Sequence, residues 1–221
     1  MKKKLYKYGL LYIGVALAAC ADNADLNEPT GSTTPPAQVL NATVKNLPGA
    51  AIIYYDLPDD QNLKYVRASY KVDNMVRTVN ASFYTDSLVV EGFPTKGEYD
   101  IELYSVSYGE VVSTPLVVKV SPDTPPYQKV RGTLASAETF GGIRVNFDNP
   151  EKAKLGLGVI KKQAGGIWTQ VYMHYTEAKG GDFYVRGLDA VTTDFGIFVR
   201  DRWGHLSDTL YVTETPLYEE Q

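Results

Sequence analysis

The sequence predicts an all-β fold made of two tandem β-sandwiches, and two observations lead to this prediction. First, the chain repeats itself: Gly49–Pro58 aligns with Gly141–Pro150, and Tyr99–Tyr104 aligns with Phe195–Arg200, with an offset that drifts only from 92 to 96 residues. Second, short runs rich in Val, Ile, Tyr and Phe alternate with polar residues and end at Gly, Pro, Asp or Asn. No segment after the N-terminal region shows sustained helical periodicity, so we expect essentially no helix there.

The repeat sets the expected domain boundaries at residues 39–122 and 127–217. Six or seven strands per copy are typical of a two-sheet sandwich. We expect strands near residues 50–56, 64–72, 76–84, 87–91, 98–106 and 112–120, and again near 142–148, 154–162, 167–175, 182–186, 194–201 and 207–214. Between the copies, Pro122–Pro126 carries three prolines in five residues. This composition predicts a short, stiff connector and a nearly fixed angle between the sandwiches.

Residues 1–19 have the pattern of a lipoprotein signal peptide. Lysines at positions 2, 3, 4 and 7 precede an apolar run that is too short for a membrane span, and Leu17-Ala-Ala-Cys20 follows. In this interpretation the chain is cut after Ala19 and the Cys20 thiol carries the lipid that anchors the protein. The alternative is an ordinary secretory signal with an incidental cysteine. Cys20 is the only cysteine, so each sandwich must be stable without a disulfide.

Residues 20–38 are polar and rich in Pro, Gly, Ser and Thr, which predicts a disordered tether. Acidic residues close behind Cys20 resemble the signals that send lipoproteins of the Bacteroidota to the outer face of the outer membrane; a periplasmic location is the alternative. Removal of residues 1–19 takes away four lysines and no acidic residue, which moves the formal charge from −4 to −8. A chain this acidic lacks the basic surface that nucleic acids require.

The repeated units resemble a known family. Leu88-x-x-Glu-Gly-Phe-Pro and Tyr99-x-Ile-x-Leu, followed by a closing strand to Pro122, look like the second half of a fibronectin type III domain. That resemblance implies that the Tyr99 hydroxyl bonds back to the preceding corner. Residues 39–217 are more closely similar to tandem domains of uncharacterised function in Bacteroidota surface lipoproteins encoded with glycan-uptake systems. A discoidin-type carbohydrate-binding domain often follows in such proteins and is absent from this sequence.

The sequence contains no recognisable catalytic constellation. There are two histidines, no free thiol after lipidation, and no nucleophile, zinc or phosphate-loop motif. Asp56, Asp59 and Asp60 lack the spacing of a calcium loop and are better explained as turn residues that cap their own backbone. We therefore expect no enzyme activity, no cofactor and no metal site.

Aromatic residues of the second copy are the candidates for ligand binding. Strict alternation along residues 167–175 places Trp168, Gln170, Tyr172 and His174 on one solvated face. Trp168 and Tyr172, about 13 Å apart along the strand, would stack on sugar rings while Gln170 bonds hydroxyl groups. Alternatively, this pair packs against the first copy or covers a sheet edge.

Trp203 lies in the turn before the last strand, where sandwich domains often bind partners. The alternative is that Gly204 shapes the turn and Trp203 simply folds over the end of the sandwich.

Two functions follow from these features. The first is a non-catalytic, lipid-anchored surface module that binds or presents something during glycan capture, with a polysaccharide or outer-membrane glycan-uptake proteins as partners. The second is a structural spacer or assembly subunit of an outer-membrane complex, without a ligand site of its own.

Overall fold

The computed structural model describes residues 33–218. The predicted signal peptide, the predicted lipidation at Cys20 and residues 20–32 of the predicted tether lie outside the described residues. Residues 33–38 of that tether are described, and Thr34 and Ala37 bond to Asn62 and Asp60 of the first unit. Within the described part of the chain, no helix is both long enough and apolar enough to cross a membrane.

The strands confirm the all-β class with two sandwiches of the fibronectin type III and immunoglobulin type. Each sandwich packs a three-stranded sheet on a four-stranded sheet, and all strand pairs are antiparallel. The first unit contains β1 (Leu40–Leu47), β2 (Ala50–Asp56), β3 (Leu63–Val72), β4 (Met75–Ser82), β5 (Ser87–Glu91), β6 (Tyr99–Ser107) and β7 (Leu116–Val120). Its sheets have the orders β1-β2-β5 and β4-β3-β6-β7.

The second unit repeats this arrangement after one short helix. It contains α1 (Pro126–Arg131), β8 (Ala135–Thr139), β9 (Gly142–Asp148), β10 (Leu155–Lys162), β11 (Trp168–Thr176), β12 (Gly180–Arg186), β13 (Thr193–Asp201) and β14 (Leu210–Glu214). Its sheets have the orders β12-β9-β8 and β11-β10-β13-β14.

The helix α1 corrects the expectation of an essentially helix-free chain. Its first residue is Pro126, preceded by Pro125. Proline at the start of a helix loses no hydrogen bond, and its fixed φ angle suits the first turn. Tyr127 and Val130 are buried on one side of the helix. The prolines of the connector therefore start about one turn and a half of helix.

The strand positions also differ from expectation at the start and end of each copy. The sequence pattern did not reveal β1 or β8, because both are edge strands with few large apolar residues. The last strand of each copy is shorter than predicted. The residues ahead of these strands, β7 and β14, form isolated bridges with the preceding strand, from Val106 to Val112 and from Arg200 to Leu206.

Each unit has its own hydrophobic core between its two sheets, as the alternation of apolar residues requires. The first core includes Ile53, Val66 and Leu103, and the second includes Val145, Leu157 and Ile197, all fully buried. At the corner before β6, the Tyr99 hydroxyl donates a hydrogen bond to the Thr95 carbonyl oxygen at 3.0 Å.

Candidate functional site

The structure places the predicted ligand residues of β11 on two different faces. Tyr172 pairs with Val159 of β10, whereas Gln170 pairs with the next residue, Ile160, so Val171 has no partner and forms a β-bulge. One extra residue reverses the side-chain alternation beyond it. The expectation that Trp168, Gln170, Tyr172 and His174 share one face is therefore wrong.

Beyond the bulge, Tyr172 and His174 lie on the side of the sheet that faces β12, and Tyr172 keeps 39% of its surface exposed. The Tyr172 ring stacks on Phe183 of β12 at 5.7 Å between centroids, and His174 stacks on the same ring at 4.7 Å. Burial lowers the pKa of His174. These two residues close the gap between the edges of the two sheets, which matches the alternative that an aromatic residue covers a sheet edge.

Before the bulge, Trp168 lies on the outer face of the four-stranded sheet. Its ring lies 5.2 Å from that of Tyr211 on β14, with an angle of 54° between the ring planes. Trp168 is 37% exposed and Tyr211 is 63% exposed. Tyr211 pairs with Gly196, so no side chain from that position of β13 stands between it and Trp168. We call this pair of rings the aromatic platform.

A row of polar side chains lies beside the aromatic platform. Asp194 on β13 accepts hydrogen bonds from the Thr213 hydroxyl at 2.8 Å and from the Lys162 ammonium group at 3.2 Å. The hydrogen bond from Thr213, and after it the one from Lys162, lowers the pKa of Asp194. Together with the rings, Asp194 and Thr213 line a cleft of about 300 Å³.

Trp203 lies in the turn after β13 and contacts the first unit. A methyl group in place of a Gly92 hydrogen would lie 2.9 Å from the indole ring, so the ring rests directly on this glycine. The Arg202 guanidinium group lies 4.2 Å from the indole centroid, and that of Arg77, from β4, lies 5.9 Å from it. Arg202 also forms an ion pair with Glu91. Trp203 thus covers the end of the other sandwich rather than the end of its own.

Further bonds join the two units around Trp203. The two ring nitrogens of His205 contact Asp201 at 2.6 Å and Asp73 of the first unit at 2.7 Å. The Tyr127 hydroxyl donates to the Pro94 carbonyl oxygen at 2.7 Å. The His205 side chain is only 11% exposed, so this bridge between the units is partly shielded from water. We call the contacts of Trp203, Arg202, His205 and Tyr127 with the first unit the inter-unit interface.

The acidic residues around Pro58 bond within their own region of the first unit. Asp60 accepts hydrogen bonds from the backbone N–H groups of Asn62 and Ala37, both at 2.9 Å, and Asp56 accepts one from the Asn41 side chain. Within residues 33–218, no group of three or more acidic, histidine or cysteine side chains is arranged to hold a metal ion.

Sequence reasoning missed Tyr211 and Asp194 of the outer face, and Arg77 and Asp73 of the inter-unit interface. A signal for Tyr211 was present, because Leu210 and Val212 on either side pack towards the core and force it outward. No comparable signal existed for Asp73, which lies 132 positions from its partner His205.

Comparisons with known families match the two halves of the chain separately. Residues 36–122 match the family described as domain of unknown function DUF4959, and residues 123–221 match domain of unknown function DUF5126. No curated protein matches the chain.

Among solved structures, the chain is similar to the SusE-like protein BT2857, with 32% identity and a TM-score of 0.38. The match covers 43% of this chain and 33% of that one, so the chain spans about a third of the length of that protein. It is also similar to a two-domain fibronectin type III segment of chicken tenascin, with 13% identity, coverage of 80% and 98%, and a TM-score of 0.37. Domains d3–d4 of rat CD45 match with 17% identity, coverage of 40% and 50%, and a TM-score of 0.34.

Proposed function

We propose that this chain is a lipid-anchored, non-catalytic module of the bacterial cell surface that binds or presents a partner during glycan capture. In this proposal Cys20 carries the anchor, and the tether runs from Cys20 to the point where Thr34 and Ala37 bond to Asn62 and Asp60 of the first unit. The two sandwiches then act as a fixed arm that holds the outer face of the second unit away from the membrane.

The aromatic platform is the observation that carries this proposal, and the inter-unit interface holds it in a fixed position relative to the first unit. A binding surface that must face outward gains from a fixed geometry, because less conformational freedom is lost when a partner binds. Trp203 and Tyr127 contact the first unit through Gly92 and Pro94, and His205 adds a bridge between carboxylates. These contacts leave the aromatic platform free, since it lies on the outer face of the second unit.

The association with glycans rests on the similarity of residues 39–217 to surface lipoproteins encoded with glycan-uptake systems. The aromatic platform supports it as well, because rigid rings with polar tips suit ligands that have both apolar and polar faces.

The alternative function is a structural spacer or assembly subunit. One observation favours it: Trp203, a candidate ligand residue from the sequence, is used to hold the two units together. A spacer needs the inter-unit interface and has no use for exposed rings on the outer face. The two functions therefore differ in whether the chain itself retains a glycan.

The test uses cells that express the full chain with its own signal. We expect antibodies to label intact cells and labelled polysaccharides to bind them, and we expect the Cys20→Ser variant to leave the membrane fraction. Labelling only after the cells are permeabilised would contradict surface display. Surface labelling without retention of any polysaccharide would favour the spacer function.

A further inference from the structure

We propose that the aromatic platform of Trp168 and Tyr211, with Asp194 beside it, is a binding subsite for one pyranose ring of a neutral polysaccharide. This inference rests on the proposed function in glycan capture and assigns it to a defined surface. It replaces the residue set expected from the sequence, because Tyr172 stacks on Phe183 and Trp203 belongs to the inter-unit interface.

The two rings form an angled apolar surface of a size suited to one sugar ring. Their centroids lie 5.2 Å apart and their planes meet at 54°, so they form a shallow trough rather than a flat stack. The faces of aromatic rings carry partial negative charge and attract the weakly positive C–H groups on the face of a sugar ring. The cleft beside them measures about 300 Å³, at the lower end of the range for small-molecule sites.

Polar groups at the edges of the trough are free to orient a sugar. Among residues 33–218, no side chain or backbone group forms a hydrogen bond with the Trp168 indole N–H or the Tyr211 hydroxyl. Each therefore remains a donor for a sugar oxygen. Gln170 lies on the same outer face, opposite Ile160, and adds an amide near the edge of the sheet.

Asp194 supplies a fixed acceptor. Each of its carboxylate oxygens already accepts one hydrogen bond, one from Thr213 and the other from Lys162, and retains a second lone pair for a sugar hydroxyl. Because both partners lie on neighbouring strands, the carboxylate is held in place before a ligand arrives. Binding therefore costs little further loss of side-chain freedom.

The charge of this surface selects a neutral sugar. Among the described residues, the positive group in contact with the platform is Lys162, whose ammonium group lies 6.0 Å from the Trp168 ring centroid. It is already paired with Asp194, so their charges offset each other. A uronic acid would bring a second carboxylate close to Asp194, and Lys162 is already paired, so the two negative charges would repel each other. A sugar with hydroxyl groups alone meets no such repulsion.

The test is affinity electrophoresis of the full chain in non-ionic detergent, through gels that contain a single polysaccharide. Neutral glucans, mannans, xylans and galactans are compared with polygalacturonate. We expect at least one neutral polymer to slow the protein. We also expect Trp168→Ala and Tyr211→Ala each to weaken that binding about fivefold, the effect of losing one aromatic contact.

Tyr184→Ala is the matched control, since Tyr184 is an aromatic residue of the second unit that is 43% exposed and lies on β12 in the other sheet. We expect this control to bind like the parent chain, and circular dichroism and thermal unfolding establish that each variant is folded. No retardation by any neutral polymer, or retardation by polygalacturonate alone, would overturn the inference. Retardation by a neutral polymer that persists in both platform variants would overturn the site and leave glycan capture as the function.

Discussion

Replacement of Trp203 by alanine is predicted to release the second unit from its fixed position on the first. With 37% of the residue exposed, most of the indole is buried, and its edge rests on Gly92 of the other unit. If about half of the buried area of an aromatic side chain faces the first unit, its loss costs about 2 kcal/mol at 25 cal/mol per Å². The cation–π contact with Arg77 at 5.9 Å adds about 0.5 kcal/mol.

A loss of about 2–3 kcal/mol raises the ratio of separated to seated units about 30- to 150-fold. The ion pair of Arg202 with Glu91 remains in the variant but contributes little to holding the units together, because both side chains are partly exposed to solvent. The bridge from His205 to Asp73 remains in the variant and limits the separation.

Distances between two spin labels would measure this change. Labels at Tyr84→Cys in the first unit and Tyr175→Cys in the second occupy exposed positions, and Cys20→Ser removes the competing thiol. We expect one narrow distance distribution for the parent chain and a broad one for Trp203→Ala. Trp168→Ala, equally exposed but on the outer face, should keep the narrow distribution.

Two results would refute this reasoning. A broad distribution in the parent chain would show that the units are not held at a fixed angle. An unchanged narrow distribution in Trp203→Ala would show that the indole does not hold them, so that the remaining bonds of the inter-unit interface are sufficient.

Three further predictions concern single side chains. Tyr99→Phe removes the hydrogen bond to the Thr95 carbonyl oxygen and should lower the free energy of unfolding of the first unit by about 1 kcal/mol in urea titrations; an unchanged value would contradict a stabilising role for the hydroxyl. Because burial lowers the pKa of His174, the unfolded chain takes up a proton first as the pH falls below about 6.5, so the second unit should lose stability between about pH 7 and pH 5. His174→Gln should remove that part of the pH dependence, and an identical slope in the variant would exclude His174 as its source. Since hydrogen bonds lower the pKa of Asp194, its carboxylate stays ionised down to acidic pH, and retardation by a neutral polysaccharide should be constant from about pH 5 to pH 8; a loss of retardation within that range would contradict its role as acceptor.

Local patterns in the sequence were sufficient for the architecture. The internal repeat and the period-two alternation of apolar residues predicted the two sandwiches, because burial of one face of each strand follows from alternation alone. The edge strands β1 and β8 escaped this reasoning. An edge strand makes hydrogen bonds on one side only and needs few large apolar residues.

The candidate site was predictable only in part. Trp168 was correctly placed on the outer face, but a single bulge at Val171 moved Tyr172 to the inner side. A bulge depends on the register of the neighbouring strand, and period-two reasoning within β11 contains no information about that register.

The sequence by itself determined the class of fold, the number of units and the outward position of Trp168, since each depends on neighbours a few residues apart. Only the tertiary structure decided which rings meet. Trp168 and Tyr211 come together across four strands, and Trp203 reaches Gly92 across more than a hundred residues. Contacts at such separations arise when two folded units pack, so they depend on shape and register in three dimensions rather than on any local pattern of side chains.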